Sequence, residues 1–402
     1  MRITAVETVL VEAYGNVVWV RVHTDEGLIG TGETFRNPKA TIAYLHETAA
    51  PYLLGKDPLQ IDRHAHALMR TVGNRFDGFP TRSVELRGNS AVDIALWDLF
   101  GQAVGQPIHQ LLGGLSRERL RIYNTCASAT YNRVARADRN TETVGAEGEA
   151  TDDLWAQVHE PERLAESLLA EGIGAMKIWP TDVFAAKTDG HHISLQDLKT
   201  AIEPVRRIRH AVGEEIDVMM EYHGLWQLPA MLQIAAALED YAVYWHEDAV
   251  PMYQWADLQA LKAKTRVRLA GSESLGTRAW YREAFTRGVI DVAHFDMGWI
   301  GGLTEGKRIA SLADTFGRPI APHDCVGPIQ LVAAVHLVMN APNALVQETV
   351  RAFYRGYYRD AVTKLPRIEQ GYVYPMEGTG LGTALQPALL ERPDCCRQVS
   401  RA

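Results

Sequence analysis

Cysteine is scarce in this chain: Cys126, Cys325, Cys395 and Cys396 are the only four in 402 residues. That is too few and too scattered for a disulfide framework or a zinc site, and a reducing cytoplasm is the expected compartment. An excess of one charge sign is also missing. The 41 basic and 49 acidic residues leave a net charge of −8, which gives no general footprint for nucleic acid or an anionic membrane surface. An anionic small molecule is not excluded, because a site has its own local field. No apolar run approaches the roughly 20 residues that span a bilayer. The opening MRITAVETVLVEAYG has no charged start followed by a long apolar run, so no signal peptide is expected. Hydrophobic residues at 47% and charged residues at 22% exclude gross disorder.

What is present is periodic. VVWVRVHTDEGLIGTGET reads as two β-runs joined by Asp25-Glu26-Gly27, a hairpin signal. KATIAYLHETAAPYLLG and SAVDIALWDLFGQAVGQPIHQLLGG carry apolar residues at helical spacing. Arg70–Arg87, rich in Gly, Arg and Asn, reads as a loop. Residues 128–158 are polar without apolar periodicity, and read as a lid-like excursion. From about residue 160 helix and strand alternate for seven or more units, ending with PIAPHD and ALVQET. Such alternation implies parallel strands with crossover helices. Seven or eight equal units suit a closed barrel, whose catalytic groups gather at the carboxyl ends of the strands.

Those ends are ionisable: Lys177, Glu221, Glu247, Glu273, Asp296, His323 and Glu348. Glu221, Glu247 and Glu273 are each 26 residues from the next, one unit apart, so three adjacent strands point carboxylates into one mouth. Like charges that close ionise together only if a cation neutralises them. Oxygen-only ligands favour a hard ion such as Mg²⁺. Asp296 and His323 read as an oriented base, the carboxylate fixing the imidazole tautomer.

These residues resemble the enolase superfamily, in its mandelate racemase/muconate lactonizing branch. DEGLIGTGE resembles its N-terminal hairpin, and NSAVDIALWDLFGQAVGQPIHQLLGG its junction of cap and barrel. HFDMGWIGGLTEGKRIASLAD and GRPIAPHD resemble its sixth- and seventh-strand signatures. The resemblance implies an α/β fold: a modified TIM barrel of (β/α)7β type with an α+β capping domain. The expected division is residues 1–118 as cap, 119–364 as barrel, and 365–402 as a tail returning to the cap. It implies Glu221, Glu247 and Glu273 as ligands of Mg²⁺, with no other cofactor, and His323 and Asp296 as the catalytic dyad. Glu348, in LVQET, matches an acid that hydrogen-bonds the substrate carboxylate.

The chain departs from the pattern in three places. Glu221 stands where Asp is more usual, and Ala249 and Val250 separate the HED motif from Pro251. Racemases of the branch carry Lys-x-Lys on the second strand. Here the segment is Lys177-Ile178-Trp179, and Trp cannot take a proton. Lys177 is then expected to bind or polarise the substrate carboxylate. His223, two residues past Glu221, resembles the acid of galactonate dehydratase-type members that expels a β-hydroxyl.

The implied function is a Mg²⁺-dependent sugar-acid dehydratase acting on an aldonate or aldarate. An α-proton is abstracted beside a carboxylate, and a β-hydroxyl is eliminated to give a 2-keto-3-deoxy acid. The alternatives are a racemase or epimerase using Lys177 and His323, and an inactive binding or structural homologue. Cycloisomerisation is disfavoured, since that group carries paired Lys bases. The expected partners are a small carboxylate substrate and further copies of the chain, as a dimer or octamer, with no nucleic acid or membrane. Tyr14–Val18 and Arg70–Arg87 are expected to close over the mouth, with Arg75, Arg82 and Arg87 as candidate substrate contacts. Trp179, Trp226 and Trp299 are candidate pocket walls, Cys325 a neutral lining residue, and His191 and His192 solvated.

Overall fold

The structure is a computed structural model that describes residues 1–70, 84–131 and 152–402. Strands β1 (Ile3–Val11), β2 (Val17–Thr24) and β3 (Ile29–Phe35) form an antiparallel sheet. The hairpin between β2 and β3 turns where expected, with Gly27 at φ 80°, a conformation that suits glycine. The sheet lies on the long helix Val84–Val104. Val6, Val20 and Val22 meet Ala91, Ala95 and Leu99 in one apolar cluster. Each buried aliphatic side chain contributes about 1.5–3 kcal/mol. A Cβ on Gly32 would lie 1.8 Å from the carbonyl oxygen of Ala91. That glycine sets the distance between β3 and the helix.

The barrel strands follow in order: β4 (Leu120–Thr125), β5 (Ala175–Ile178), β6 (Asp217–Glu221), β7 (Trp245–Glu247), β8 (Arg268–Gly271) and β9 (Val292–Ala293). Each is parallel to the next. The seventh position departs from the expected strand. PIAPHD forms only isolated bridges, Ile320 to Ala293 and Ala344, and His323 to Asp296. Pro319 and Pro322 remove two ladder donors there. β10 (Gln347–Thr349) pairs with β4. One side chain from each of the eight positions fills the interior: Tyr123, Ala175, Met219, Trp245, Ala270, Val292, Ala321 and Val346. Large and small residues mix in this layer, as a closed barrel requires. It forms the floor on which the ionisable strand ends stand.

Two loop expectations need correction. Residues 71–83 lie outside the described residues, but Val84–Arg87 is the first turn of the long helix. Residues 132–151 also lie outside them. Asp153–His159, expected in the polar excursion, is a helix capped by Asp152, whose side chain accepts from the Leu154 amide. Asp153 is buried because Arg351 grips it with two bonds of 2.7 and 2.8 Å. Asp153, one of the acidic residues that suggested a loop, is spent on that ion pair.

The tail first lays Tyr372–Val373 against β4, then gives the Leu381 amide to Asp98, and ends as strand Cys395–Arg401 on the edge of β1. Among the described residues no helix is long and apolar enough to cross a membrane.

Gly32→Ala should lower stability by about 3 kcal/mol through overpacking against a backbone atom. Urea unfolding measures this as a lower midpoint with unchanged slope. An unchanged midpoint would mean that the helix can retreat without cost.

Candidate active site

Lys177 is the penultimate residue of β5 and is 2% exposed. Its Nζ lies 2.5 Å from Glu247 Oε1, 3.0 Å from Glu348 Oε1 and 3.7 Å from Glu221 Oε2. Burial alone would favour the neutral amine. The surrounding carboxylates outweigh it and hold the ammonium far above its usual range. Lys177 is therefore a fixed cation.

Two of the three evenly spaced carboxylates, Glu221 and Glu247, meet at this point, and Glu273 lines the cavity with Lys177 and Glu221. Glu221 Oε1 accepts the amides of Tyr222 and His223 at 2.9 and 2.5 Å, whereas its Oε2 is buried without a hydrogen-bond partner. Burial and the charge of Glu247 push the Glu221 carboxyl well up. Glu247 Oε2 accepts from the Trp245 indole at 2.9 Å. Against the effect of burial, His294 and Lys177 hold its carboxyl down. Glu273, two residues past β8, places Oε2 2.9 Å from His323 Nε2. An unpartnered buried oxygen within an all-carboxylate set fits a hard cation held by Glu221, Glu247 and Glu273.

A second grouping needs comparison. Donor atoms of Glu247, Glu273 and His294 lie within 4.8 Å of one another. His294 Nε2, like Glu221 Oε2, is buried without a hydrogen-bond partner, and only its Nδ1 is engaged outside this group. Its Nδ1 is 2.6 Å from the Ala321 carbonyl and its Nε2 2.9 Å from Glu247. It sits behind Glu247 as a support. The sequence reading passed over it, although the two-residue period of a strand puts His294 on the same face as Asp296.

His323 Nδ1 lies 2.6 Å from Asp296 Oδ2, and Asp296 Oδ1 accepts the Gly298 amide at 2.7 Å. An ionised carboxylate only accepts, so Nδ1 carries a hydrogen toward Asp296, and Nε2, on the cavity side, carries one toward Glu273 Oε2 at 2.9 Å. Burial opposes the imidazolium, but Glu273, Glu348 and the bond to Asp296 raise the proton affinity well above the usual value.

His223 reaches the same cavity by another route than expected. β6 ends at Glu221, and His223 has left-handed φ of 50°, so the turn rather than the strand face aims its ring. Its Nδ1 lies 2.6 Å from Asp182 Oδ2 and its ring meets Trp179 edge-on at 5.9 Å. Burial lowers its proton affinity, and Asp182 more than offsets that. Asp182 follows β5 in a short helix, where no strand period could have revealed it.

Glu348 is placed deeper. It accepts from Tyr123 at 2.8 Å, from Thr125 and from the Asp324 amide, beneath Lys177. The small cavity above is lined by Lys177, Glu221, Glu273, His223, His323 and Cys325. Burial raises the Cys325 thiol, which stays neutral. Trp179 and Trp299 wall the cavity, while Trp226 is wholly buried with its indole on Thr181. Phe35 and Arg36, at the end of β3, supply the cap side. Tyr14, expected there, is turned inward and stacks on Tyr357 at 5.1 Å. Arg87 lies 4.9 Å over the Trp299 ring. Arg75 and Arg82 fall outside the described residues. His191 and His192 are exposed.

Comparison with known proteins agrees along the whole chain. The N-terminal domain pattern of mandelate racemase / muconate lactonizing enzyme matches residues 3–113, and the enolase C-terminal domain-like pattern residues 160–389. D-xylonate dehydratase of Haloferax volcanii is 30% identical, covering 95% of this chain and 86% of its own. D-gluconate dehydratase of Thermoproteus tenax is 28% identical, covering 93% and 69%. D-galactonate dehydratase of Ralstonia nicotianae is 27% identical, covering 93% and 90%. The crystal structure of an enolase of the mandelate racemase subgroup from Agrobacterium tumefaciens superposes with a TM-score of 0.88 at 44% identity. It covers 100% of this chain and 99% of that one.

Lys177→Met would leave Glu221, Glu247 and Glu348 without their shared ammonium. In chelator at neutral pH we expect a loss of about 3–5 kcal/mol, the cost of breaking a buried ion pair from one side. The deficit should shrink as pH falls and the carboxylates take up protons. Denaturant melts across pH measure both effects, and a pH-independent deficit would contradict the ion-pair account.

Proposed function

We propose that this chain, which belongs to the mandelate racemase/muconate lactonizing enzyme family of the enolase superfamily, is a Mg²⁺-dependent dehydratase of a sugar acid. Three curated relatives along nearly the full chain bear dehydratase names for sugar acids. The observation that carries the reading is the pair of imidazoles. His323 and His223 border one cavity, and Lys177, paired with Glu247 and Glu348, lines the same cavity.

Glu221, Glu247 and Glu273 are the residues that would hold the ion. Mg²⁺ bound there would supply the positive charge against which an enediolate develops. The remaining work falls to the chain. Lys177 stands on the cavity wall as a donor to the substrate carboxylate, oriented from below by Glu348. His323, with Nδ1 held by Asp296, would take the α-proton at Nε2 once that nitrogen has given up the proton it shares with Glu273. His223 gives a proton to the β-hydroxyl, which leaves as water while the electron pair forms the C=C bond. The enol then tautomerises to a 2-keto-3-deoxy acid. Trp179 and Trp299 exclude bulk water from the reacting atoms.

The racemase reading requires Lys177 as a second base. Lys177 Nζ is engaged by Glu247 and Glu348, and the second position of a Lys-x-Lys pair is Trp179, which cannot take a proton. That disfavours the two-base arrangement.

A panel of aldonates, aldarates and uronates with Mg²⁺ should yield a 2-keto-3-deoxy acid from at least one member. Solvent deuterium appearing in both configurations of recovered substrate, with no keto acid, would select the racemase instead. His323→Ala should slow α-proton exchange in D₂O by about 10²–10⁴-fold, and unchanged exchange would remove His323 as the base. Calorimetry should show Mg²⁺ affinity falling in Glu221→Gln.

A further inference from the structure

Asp182 is buried, 1% exposed, and its polar surroundings are lopsided. Oδ2 lies 2.6 Å from His223 Nδ1, whereas Oδ1 has no hydrogen-bond partner. A carboxylate so deeply buried with one partner is costly to keep, and all of its interaction is aimed at one ring. Asp296 treats His323 the same way, through Nδ1 at 2.6 Å, but Asp296 spends its other oxygen on the Gly298 amide. His223 is also fixed by its amide on Glu221 and by the edge contact with Trp179. Nε2 is the ring nitrogen left for chemistry.

We infer that Asp182 is a positioning residue for elimination: it holds His223 with Nδ1 protonated, so that Nε2–H is aimed at the departing hydroxyl. The inference rests on the dehydratase reading. The chain then carries two carboxylate–imidazole dyads on one cavity with separate tasks. Asp296–His323 breaks the C–H bond, and Asp182–His223 serves the breaking of the C–O bond. As that bond breaks, the Nε2 proton passes to the β-oxygen, the enediolate electron pair becomes the C=C bond, and water leaves. His223 recovers its proton from solvent. It also borders a second, wider cavity with Asp189, Gln227 and Tyr253, and its side chain is 26% exposed.

The test separates the two steps in the full-length, Mg²⁺-loaded enzyme, using whichever sugar acid the wild type dehydrates. Asp182→Asn keeps the shape and removes the charge. Keto-acid formation should fall about 10²-fold, within the range of a general acid's contribution. Exchange of the α-proton with D₂O should change less than about threefold, so deuterium accumulates in unreacted substrate. KM should stay close to wild type. His223→Gln should show the same split, and the double variant should be little worse than either single one, as for residues acting as a unit. If exchange and dehydration fall together in both variants, or neither falls in Asp182→Asn, the positioning role is wrong. If the wild type forms no keto acid from any sugar acid, the dehydratase reading itself fails and takes this inference with it.

Discussion

One buried ammonium among carboxylates organises the molecule. Lys177 stands within ion-pair distance of Glu221, Glu247 and Glu348, all at most 2% exposed. Such a cluster is stable only if each charge finds an opposite charge or a donor. The barrel floor is built to provide them: Tyr123 donates to Glu348 and Trp245 to Glu247. The bulky residues that fill the interior layer therefore also orient the charges above it. One oxygen of Glu221 has no hydrogen-bond partner and lies 3.7 Å from the ammonium.

The cap completes the site by hydrogen bonds across the chain. Glu33, on β3, accepts the Trp19 indole at 2.7 Å and the Gln330 amide at 3.0 Å, at the start of helix Pro328–Asn340. Burial pushes its carboxyl up to about 8 against these bonds. The Thr34 hydroxyl donates to the Gly298 carbonyl, two residues beyond Asp296. Asp93 and Ser90, on the long helix, accept the Thr304 and Gly301 amides. These ties hold Phe35 and Arg36 over the cavity and connect the cap to the segment that carries the base.

The strand-end residues were legible because a parallel barrel repeats. Lys177, Glu221, Glu247, Glu273, Asp296 and His323 recur at the same point of successive units, and repetition is visible without coordinates. Residues on turns carry no such period. His223 was noticed through a family resemblance, and its aim turned out to depend on a left-handed turn. Asp182 and Arg351 gave no signal, because their partners His223 and Asp153 are 41 and 198 residues away. The helix at Asp153–His159 was missed for a related reason. Its one buried acid, Asp153, is paired inside the protein with Arg351, and in the sequence it imitates part of a solvated loop.

By itself the sequence determined the alternation of strand and helix, the evenly spaced carboxylates and the kind of chemistry they permit. These are local patterns, governed by backbone period and side-chain type. Tertiary structure alone decided which charges neutralise one another. It put Lys177 among three acids, sent Glu348 beneath it, turned Tyr14 inward and gave His223 its own carboxylate. Those outcomes depend on distances between residues far apart in the chain, and electrostatic energy in a buried site depends on such distances.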